Sequence, residues 1–306
     1  MTNLPTEVLR SRSQLTEPTS IAILDKTQFC LVATTFTNEL ILTSYVSDGA
    51  IKNTSSLDSE TNAPLLLLHG FDSSLLEFRR LLPLLATHRQ TWAMDLFGFG
   101  MTERLQDVSI STDAIKEHLY AFWQTTIARP IVLVGASMGG AAAIDFALTY
   151  PQIVQKLILI GSAGMRSGTT MGRFLIYPLD RVATNFLRSP KVRREVSLKA
   201  YADPSFVTND AEICASLHLS MPRWSEALIS FTKSGGYGSY AEQLKDLQPP
   251  TLILWGDRDR ILGTKDATKF HDMLPTSKLV WIENSGHVPH LERPMATAQE
   301  IFMFLE

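Results

Sequence analysis

The stretch IVLVGASMGGAAAIDFALTY, residues 131–150, joins an apolar strand to a helix within a few residues. Its centre, GASMG at residues 135–139, has the spacing of a nucleophile elbow, in which a serine stands on the sharp turn between strand and helix. Such a turn strains the backbone at the serine and crowds its neighbours, so glycines are needed on both sides. We therefore predict that Ser137 is a nucleophile at the edge of a parallel sheet. A tight turn with an incidental serine is the simpler alternative.

Two later apolar strands are followed by residues that can activate this serine. A serine hydroxyl is a weak nucleophile and needs an adjacent base. His287, after the strand KLVWIE, is predicted to take the serine proton, and Asp259, after TLILWG, is predicted to orient the imidazole. The order serine, acid, histidine is the one that accompanies this kind of elbow. Asp257, two residues earlier in the same loop, stays open as an alternative acid.

The turn HGFD at residues 69–72 follows the apolar strand LLLLHG. Acyl transfer places negative charge on a carbonyl oxygen, and backbone N–H groups are its usual donors. We predict that the N–H groups of Phe71, in this turn, and of Met138, directly after the serine, form the oxyanion hole. His69 is expected to brace the turn, and His290 to support the loop that carries the catalytic histidine.

Short apolar strands alternate with amphipathic helices over residues 65–161, and this alternation predicts a parallel sheet covered on both faces. β-rich runs between residues 21 and 46 predict an antiparallel hairpin ahead of it. The predicted fold class is therefore α/β, with a mostly parallel eight-stranded sheet, helices on both faces and an inserted helical cap.

The predicted domain organisation places the helical cap at residues 165–232, where buried strands are missing and helical, aromatic and basic segments take their place. The cap interrupts a core made of residues 1–164 and 233–306. The first 20 residues, which are polar and contain two prolines, are expected to form a loosely held arm.

Composition limits the classes of function. A formal net charge of −3 and a pI near 6.2 give no electrostatic footprint for nucleic acid. Cys30 and Cys214 have no metal-ligand spacing and indicate a reducing compartment. Neither a secretory signal nor an apolar stretch long enough to span a bilayer is apparent. We expect a soluble, cytoplasmic protein with no metal, cofactor, nucleic-acid partner or obligate protein partner.

The motifs HGF, DLFGFG, GASMGG, WGDRD and SGHVPHLERP together resemble those of the capped α/β-hydrolases over roughly residues 60 to 306. A narrower resemblance is to the chlorophyll dephytylases of photosynthetic organisms. It is carried by LLLLHGFDSSLLEFRRLLPLL, TWAMDLFGFG, RPIVLVGASMGGAAAIDFAL and the cap segment WSEALISFTKSGGY. This resemblance implies a carboxylic-ester hydrolase that releases phytol and chlorophyllide, with peripheral contact to a photosynthetic membrane.

The expected substrate is a large apolar ester held under the cap. The predicted substrate-binding side chains are those of Phe71, Phe174, Tyr177, Trp224, Phe231 and Val288. For each cap aromatic, packing of the cap onto the sheet is the competing interpretation. Five cap arginines predict either contact with anionic lipid headgroups or a solvated helix face. Two other functions stay open: a general esterase or thioesterase for small or acyl substrates, and a non-catalytic binding protein of the same fold.

Overall fold

The structure is a computed structural model and describes residues 4–49, 62–166, 178–274 and 276–306. Its strands are β1 (Gln28–Val32), β2 (Ile41–Asp48), β3 (Leu65–Leu68), β4 (Thr91–Met94), β5 (Ile131–Ala136), β6 (Val154–Ile160), β7 (Thr251–Gly256) and β8 (Ser277–Ile282). They form one eight-stranded sheet in the order β1-β2-β4-β3-β5-β6-β7-β8.

The sheet is antiparallel at one side and parallel elsewhere. β2 pairs antiparallel with β1 and with β4, whereas the other neighbouring strands are parallel. β3 and β5 are buried along their whole length, because helices cover both faces of the sheet. The predicted initial hairpin and mostly parallel eight-stranded sheet are therefore confirmed.

Helices surround the sheet on both faces. In the described residues they are α1 (Thr6–Arg12), α2 (Pro18–Asp25), α3 (Leu82–Ala86), α4 (Thr112–Thr126), α5 (Met138–Thr149), α6 (Leu179–Arg188), α7 (Pro190–Ala200), α8 (Asn209–Ser216), α9 (Trp224–Ser234), α10 (Lys265–Met273), α11 (Pro289–Glu292) and α12 (Pro294–Leu305). α4, α5 and α10 pack on one face, and α2, α3 and α12 on the other. Of these helices, none is both long and apolar enough to cross a bilayer.

The two faces of the sheet form two separate cores. Along β3, Leu66 and Leu68 belong to one core, and Leu65 and Leu67 to the other. This follows from the period of two residues by which strand side chains alternate between faces. Each fully buried leucine stabilises the fold by about 1.5–3 kcal/mol relative to an exposed one. The central strands are therefore rigid, and the loops that leave them are well positioned.

Residues 4–25 form two helices with buried apolar side chains, so the expectation of a loosely held arm was wrong. Asp210 of α8 accepts hydrogen bonds from the backbone N–H groups of Thr16 and Glu17, at 2.7 and 2.8 Å. It also accepts one from Ser20 Oγ at 2.6 Å. The sequence pattern of the segment could not reveal this partner, because it lies almost 200 residues away in the chain.

Helices α6–α9 occupy the chain between β6 and β7, where the described residues contain no strand. They correspond to the predicted helical cap. α9 extends to Ser234, two residues beyond the predicted boundary. The start of the predicted cap falls on residues 167–177, which lie outside the described residues, so the domain boundaries stay a prediction.

The elbow between β5 and α5 positions the candidate nucleophile. Ser137 has φ 51° and ψ −118°, a conformation that non-glycine residues rarely adopt. Its N–H donates to the carbonyl of Ile160 in β6 at 2.9 Å. A Cβ on Gly135 would lie 2.3 Å from the carbonyl oxygen of Gly139, and one on Gly139 would lie 2.1 Å from that of Leu68 in β3. The turn can therefore form only because these positions lack side chains.

Replacing Gly139 by alanine should destabilise the fold by about 3 kcal/mol, since the new methyl group would overlap the backbone of a rigid central strand. Gly238→Ala is the matched control, because no atom lies within 4 Å of the position its Cβ would take. Urea unfolding measures both variants. Equal stabilities would contradict the close packing of the elbow against β3.

Candidate active site

The structure brings Ser137, Asp259 and His287 together at the carboxyl edge of the sheet. They follow β5, β7 and β8, respectively. His287 Nε2 lies 2.9 Å from Ser137 Oγ, and His287 Nδ1 lies 2.9 Å from Asp259 Oδ2. An imidazole that donates from Nδ1 to a carboxylate leaves its Nε2 lone pair directed at the serine hydroxyl. The three side chains thus form one continuous hydrogen-bonded chain.

The carboxylate of Asp259 is set up to remain charged. Burial raises its pKa, but hydrogen bonding to His287 and the nearby imidazole lower it more, so that the pKa lies below the ordinary value. Its other oxygen, Oδ1, accepts hydrogen bonds from the backbone N–H groups of Ile261 and Leu262, at 2.8 and 3.0 Å. These donors hold the carboxylate in the orientation that the imidazole needs.

Asp257, the alternative acid, has another role in the structure. Its Oδ1 accepts a hydrogen bond from the backbone N–H of Ser285 at 3.1 Å. Within the described part of the chain its carboxylate makes no hydrogen bond to His287, which binds Asp259 instead. The geometry therefore favours Asp259 over Asp257 as the orienting acid.

The loop that carries His287 is packed against the cap. The backbone N–H of His287 donates to the carbonyl of Ala200, the last residue of α7, at 2.7 Å. Buried Glu292 accepts hydrogen bonds from the N–H groups of Gly286, at 2.5 Å, and of Ala202, at 2.9 Å. Sequence reasoning missed Glu292, because an acidic residue in LERP looks like an ordinary surface residue. The position of His287 thus depends on contacts with the cap.

The oxyanion loop, which we define as residues 69–72, is anchored to the core by His69. Its Nδ1 lies 2.8 Å from the carbonyl oxygen of Gly70, and its Nε2 accepts the N–H of Leu96 at 3.1 Å. This is the bracing contact that the sequence predicted. Because a trans peptide points its N–H away from its C=O, holding the Gly70 carbonyl also restricts the direction of the Phe71 N–H. Neither that N–H nor the Met138 N–H donates a hydrogen bond within the described residues.

Glu77 is a carboxylate beneath the oxyanion loop with a side chain only 9% exposed. Its Oε2 accepts the N–H of Gly70 at 2.8 Å, and its Oε1 lies 3.2 Å from His290 Nε2. Burial raises the pKa of Glu77, but hydrogen bonding and charge from His290 and the Gly70 N–H outweigh it and lower the pKa to about 2. Glu77 is therefore anionic at neutral pH. His290 was expected to support the loop of His287; instead it lies against the acid that holds Gly70.

A cavity of about 410 Å³ opens beside the serine. Ser137 and His287 contribute to its wall, and so does the oxyanion loop with Gly70 and Phe71. α7 supplies a mostly apolar side that includes Val192, Val196 and Ala200. The volume lies within the usual range for small-molecule sites. An apolar group attached to a carbonyl at the serine can therefore be held under α7.

The six predicted substrate-binding residues differ in position. Phe71 and Val288 line the cavity, but Trp224 and Phe231 do not. The indole N–H of Trp224 donates to a carboxylate of the oxyanion loop, and the ring of Phe231 lies 6.0 Å from that of Phe71. Both side chains are buried in packing between cap and core. Phe174 and Tyr177 lie outside the described residues.

The described residues contain no group of three or more His, Cys, Asp or Glu side chains that could hold a metal ion. Cys30 and Cys214 are both free thiols, and burial raises the pKa of each.

Comparison with known proteins agrees with the fold. The sequence model of the family described as alpha/beta hydrolase fold matches residues 63–294. The chain is 34% identical to the Alpha/beta hydrolase domain-containing protein VTE7 of Arabidopsis thaliana, over 76% of this chain and 71% of that protein. It is 26% identical to a 2-hydroxy-6-oxo-2,4-heptadienoate hydrolase of Pseudomonas putida, over 75% of this chain and 84% of that one.

Among solved structures, a thermophilic esterase from Thermogutta terrifontis superposes with a TM-score of 0.74. The match covers 91% of this chain and 98% of that one at 23% identity, so it shows the fold alone. Because the family model spans most of the sequence, the family itself is shown. The chain belongs to the α/β-hydrolase fold family.

Proposed function

We propose that the protein is a serine carboxylic-ester hydrolase, with Ser137 as the nucleophile, His287 as the general base and Asp259 as the acid that orients it. The observation that carries the proposal is the continuous hydrogen-bonded chain from Asp259 through His287 to Ser137, which ends at the wall of a cavity. This arrangement activates a hydroxyl for attack on a carbonyl carbon.

The reaction then proceeds through an acyl-enzyme. Ser137 Oγ bonds to the ester carbonyl carbon while its proton passes to His287 Nε2, and the Phe71 and Met138 N–H groups stabilise the oxyanion. The C–O bond to the alcohol breaks, and His287 donates the proton to the departing alcohol oxygen. Water, deprotonated by His287, then attacks the acyl carbon; the bond from that carbon to Ser137 Oγ breaks, His287 returns the proton to Oγ, and the acid is released. No step requires a metal or a cofactor.

The proposed substrate is a large apolar ester, with chlorophyll as the leading candidate and chlorophyllide and phytol as products. Two observations support this class. The sequence resembles chlorophyll dephytylases in both the core and the cap. The cavity beside Ser137 has an apolar side formed by α7, to which Leu187 of α6 and Leu291 of α11 add. Burial of a long hydrocarbon chain there would supply binding energy of about 0.8 kcal/mol per CH₂ group.

Two alternatives make different predictions. A general esterase or thioesterase for small or acyl substrates would share the triad but would not release phytol. A non-catalytic binding protein would leave Ser137 unreactive toward a fluorophosphonate probe. The complete hydrogen-bonded triad supports catalysis over the second alternative.

We further propose that the cap touches an anionic membrane surface, so that the protein is cytoplasmic but peripherally associated with a photosynthetic membrane. Val182 and Phe186 of α6 and Val196 of α7 are apolar, yet they are 60, 64 and 51% exposed. Residues 178–200 carry six basic and two acidic side chains, a net +4 in a chain of net −3. Because Val196 also lines the cavity, the exposed apolar surface continues into the site. An ester dissolved in a membrane would have a short apolar path to the serine.

Asp259→Asn should lower kcat by about 10³- to 10⁴-fold, since the amide no longer stabilises the imidazolium or fixes its tautomer. Asp257→Asn, two residues away, is the matched control and should retain kcat within about threefold, because its carboxylate binds the backbone of Ser285. Hydrolysis of p-nitrophenyl butyrate measures both. The reverse ranking would move the acid to Asp257.

Incubation with chlorophyll a in dilute detergent should yield chlorophyllide and phytol on chromatography, and Ser137→Ala should lose this activity by several orders of magnitude. If small esters were cleaved while chlorophyll stayed intact, the triad would stand and the pigment assignment would fall. Activity of Ser137→Ala close to that of the unaltered protein would overturn the triad itself.

The unaltered protein should sediment with phosphatidylglycerol vesicles and much less with phosphatidylcholine vesicles, and high salt should weaken the binding. Replacing both Val182 and Phe186 by serine should lower vesicle affinity by about 10-fold or more, because two apolar contacts are lost. Met295→Ser removes a similarly exposed apolar side chain outside the cap and is the control. Equal binding by the double variant and the control would argue against the proposed surface.

A further inference from the structure

Asp72 is the last residue of the oxyanion loop, and its carboxylate receives donors from three elements of the cap. Oδ1 accepts Trp224 Nε1, at the start of α9, at 2.7 Å. His218 Nε2, in the 3₁₀ turn that precedes α9, lies 3.0 Å from the same oxygen. Oδ2 accepts Arg193 Nη1 of α7 at 2.5 Å. Both carboxylate oxygens are therefore used to join the loop to the cap.

The environment of Asp72 depends on these cap donors. The residue is only 7% exposed, and it has φ 49°, a conformation unusual for a residue with a side chain. Burial raises the pKa of Asp72, but hydrogen bonding to His218, the charges of His218 and Arg193, and the Trp224 indole lower it to about 2. A buried carboxylate that lost these donors would be left with its charge uncompensated. The cap donors therefore stabilise the charged side chain of Asp72 in this buried position.

Arg193 extends the same connection. Its Nη2 donates to the backbone carbonyl of Asp72 at 3.3 Å and also to the carbonyl of Ala215 in α8. One guanidinium thus binds the side chain and the backbone of the loop together with a second cap helix. A planar guanidinium with five donors suits this bridging geometry better than an ammonium group does.

The opposite end of the oxyanion loop is held by the core. Glu77 accepts the Gly70 N–H, and His69 lies 2.8 Å from the Gly70 carbonyl oxygen. The Phe71 peptide therefore lies between a core anchor at Gly70 and a cap anchor at Asp72. The core anchor holds the peptide that carries the Phe71 N–H, and the cap anchor holds the chain on the other side of Phe71.

We propose that Asp72 is a positioning residue: by binding Arg193, His218 and Trp224 it fixes the Phe71 N–H, so that the oxyanion hole is complete only when the cap is docked. This inference rests on the proposed ester hydrolysis, in which the Phe71 N–H is a donor. Asp72 acts through the backbone of its neighbour, and it takes no proton in the reaction. Cap docking and transition-state stabilisation are in this way coupled through one carboxylate.

Asp72→Asn is the first test, because it keeps the shape of the side chain and removes its charge. With p-nitrophenyl butyrate, kcat should fall about 10- to 100-fold while KM changes by less than about threefold, as expected for a loss confined to the transition state. Affinity for a trifluoromethyl ketone, which forms an oxyanion on the serine, should fall by the same factor as kcat/KM. A change in KM alone would overturn the proposal.

Asp180→Asn is the matched control for a merely structural effect. Asp180 lies in the cap and, like Asp72, is 7% exposed. Its carboxylate accepts a hydrogen bond from Lys233 Nζ at 2.7 Å within the cap. We expect this variant to lower the thermal midpoint without altering kcat or inhibitor affinity. If Asp180→Asn reduced kcat as much as Asp72→Asn, general loosening of the cap would explain both, and the positioning role would be rejected.

Arg193→Gln tests the cap side of the contact. Its effect on kcat should match that of Asp72→Asn, and the double variant should be little worse than either single one, because both remove the same coupling. Arg193→Lys should rescue part of the loss. Fully additive effects would show that the two residues act independently and would contradict the proposal.

Hydrogen exchange separates this inference from the proposed function. In Asp72→Asn the amides of residues 70–73 should exchange faster than in the unaltered protein, whether or not the protein hydrolyses esters. Faster exchange without any Ser137-dependent hydrolysis would reject the enzyme assignment and keep the role of Asp72 in holding the loop. Unchanged exchange together with unchanged kcat would reject the positioning role of Asp72 and keep the enzyme assignment.

Discussion

Ser137 holds a positive φ that its surroundings, and not its own preference, stabilise. The surrounding constraint is the close approach of α5 to β3, which the missing side chain at Gly139 allows. Because that approach places the serine at the carboxyl edge of a parallel sheet, loops after other strands of the sheet reach it. Asp259 and His287 come from two such loops. The proposed catalytic arrangement thus depends on strand order and on this crowded turn.

Among the carboxylates around the site, Asp259, Glu77 and Asp72 each have their own donors. Asp259 binds His287, Glu77 lies against His290 and the Gly70 N–H, and Asp72 binds cap donors that include Arg193. Unpaired charges in such positions would cost several kcal/mol each. Because Glu77 and Asp72 have such partners, they can hold the backbone of the oxyanion loop. They do so without placing an uncompensated negative charge next to the proposed oxyanion hole. We propose that these two carboxylates hold the loop backbone in place and take no part in the chemical step.

The sequence predicted those site residues that directly follow an apolar strand. Ser137, Asp259 and His287 each follow an apolar strand at the same sheet edge, so their meeting could be inferred from local patterns. The role of Asp72 could not, because its donors are scattered over three cap elements and no local pattern links them. The sequence also predicts that Trp224 binds substrate, because its residue type indicates burial. No local pattern shows that its indole N–H donates to Asp72 in the oxyanion loop.

The N-terminal helices show how far apart in the chain the stabilising partners lie. Ser20 and Asp210 are separated by 190 residues, yet the backbone around Ser20 depends on that carboxylate. During synthesis at roughly 5–20 residues per second, about 10 to 40 s pass between the two positions. The segment around Ser20 therefore acquires this partner only after much of the chain between β6 and β7 has been made. Helix α2 can therefore make these hydrogen bonds only after α8 has been synthesised.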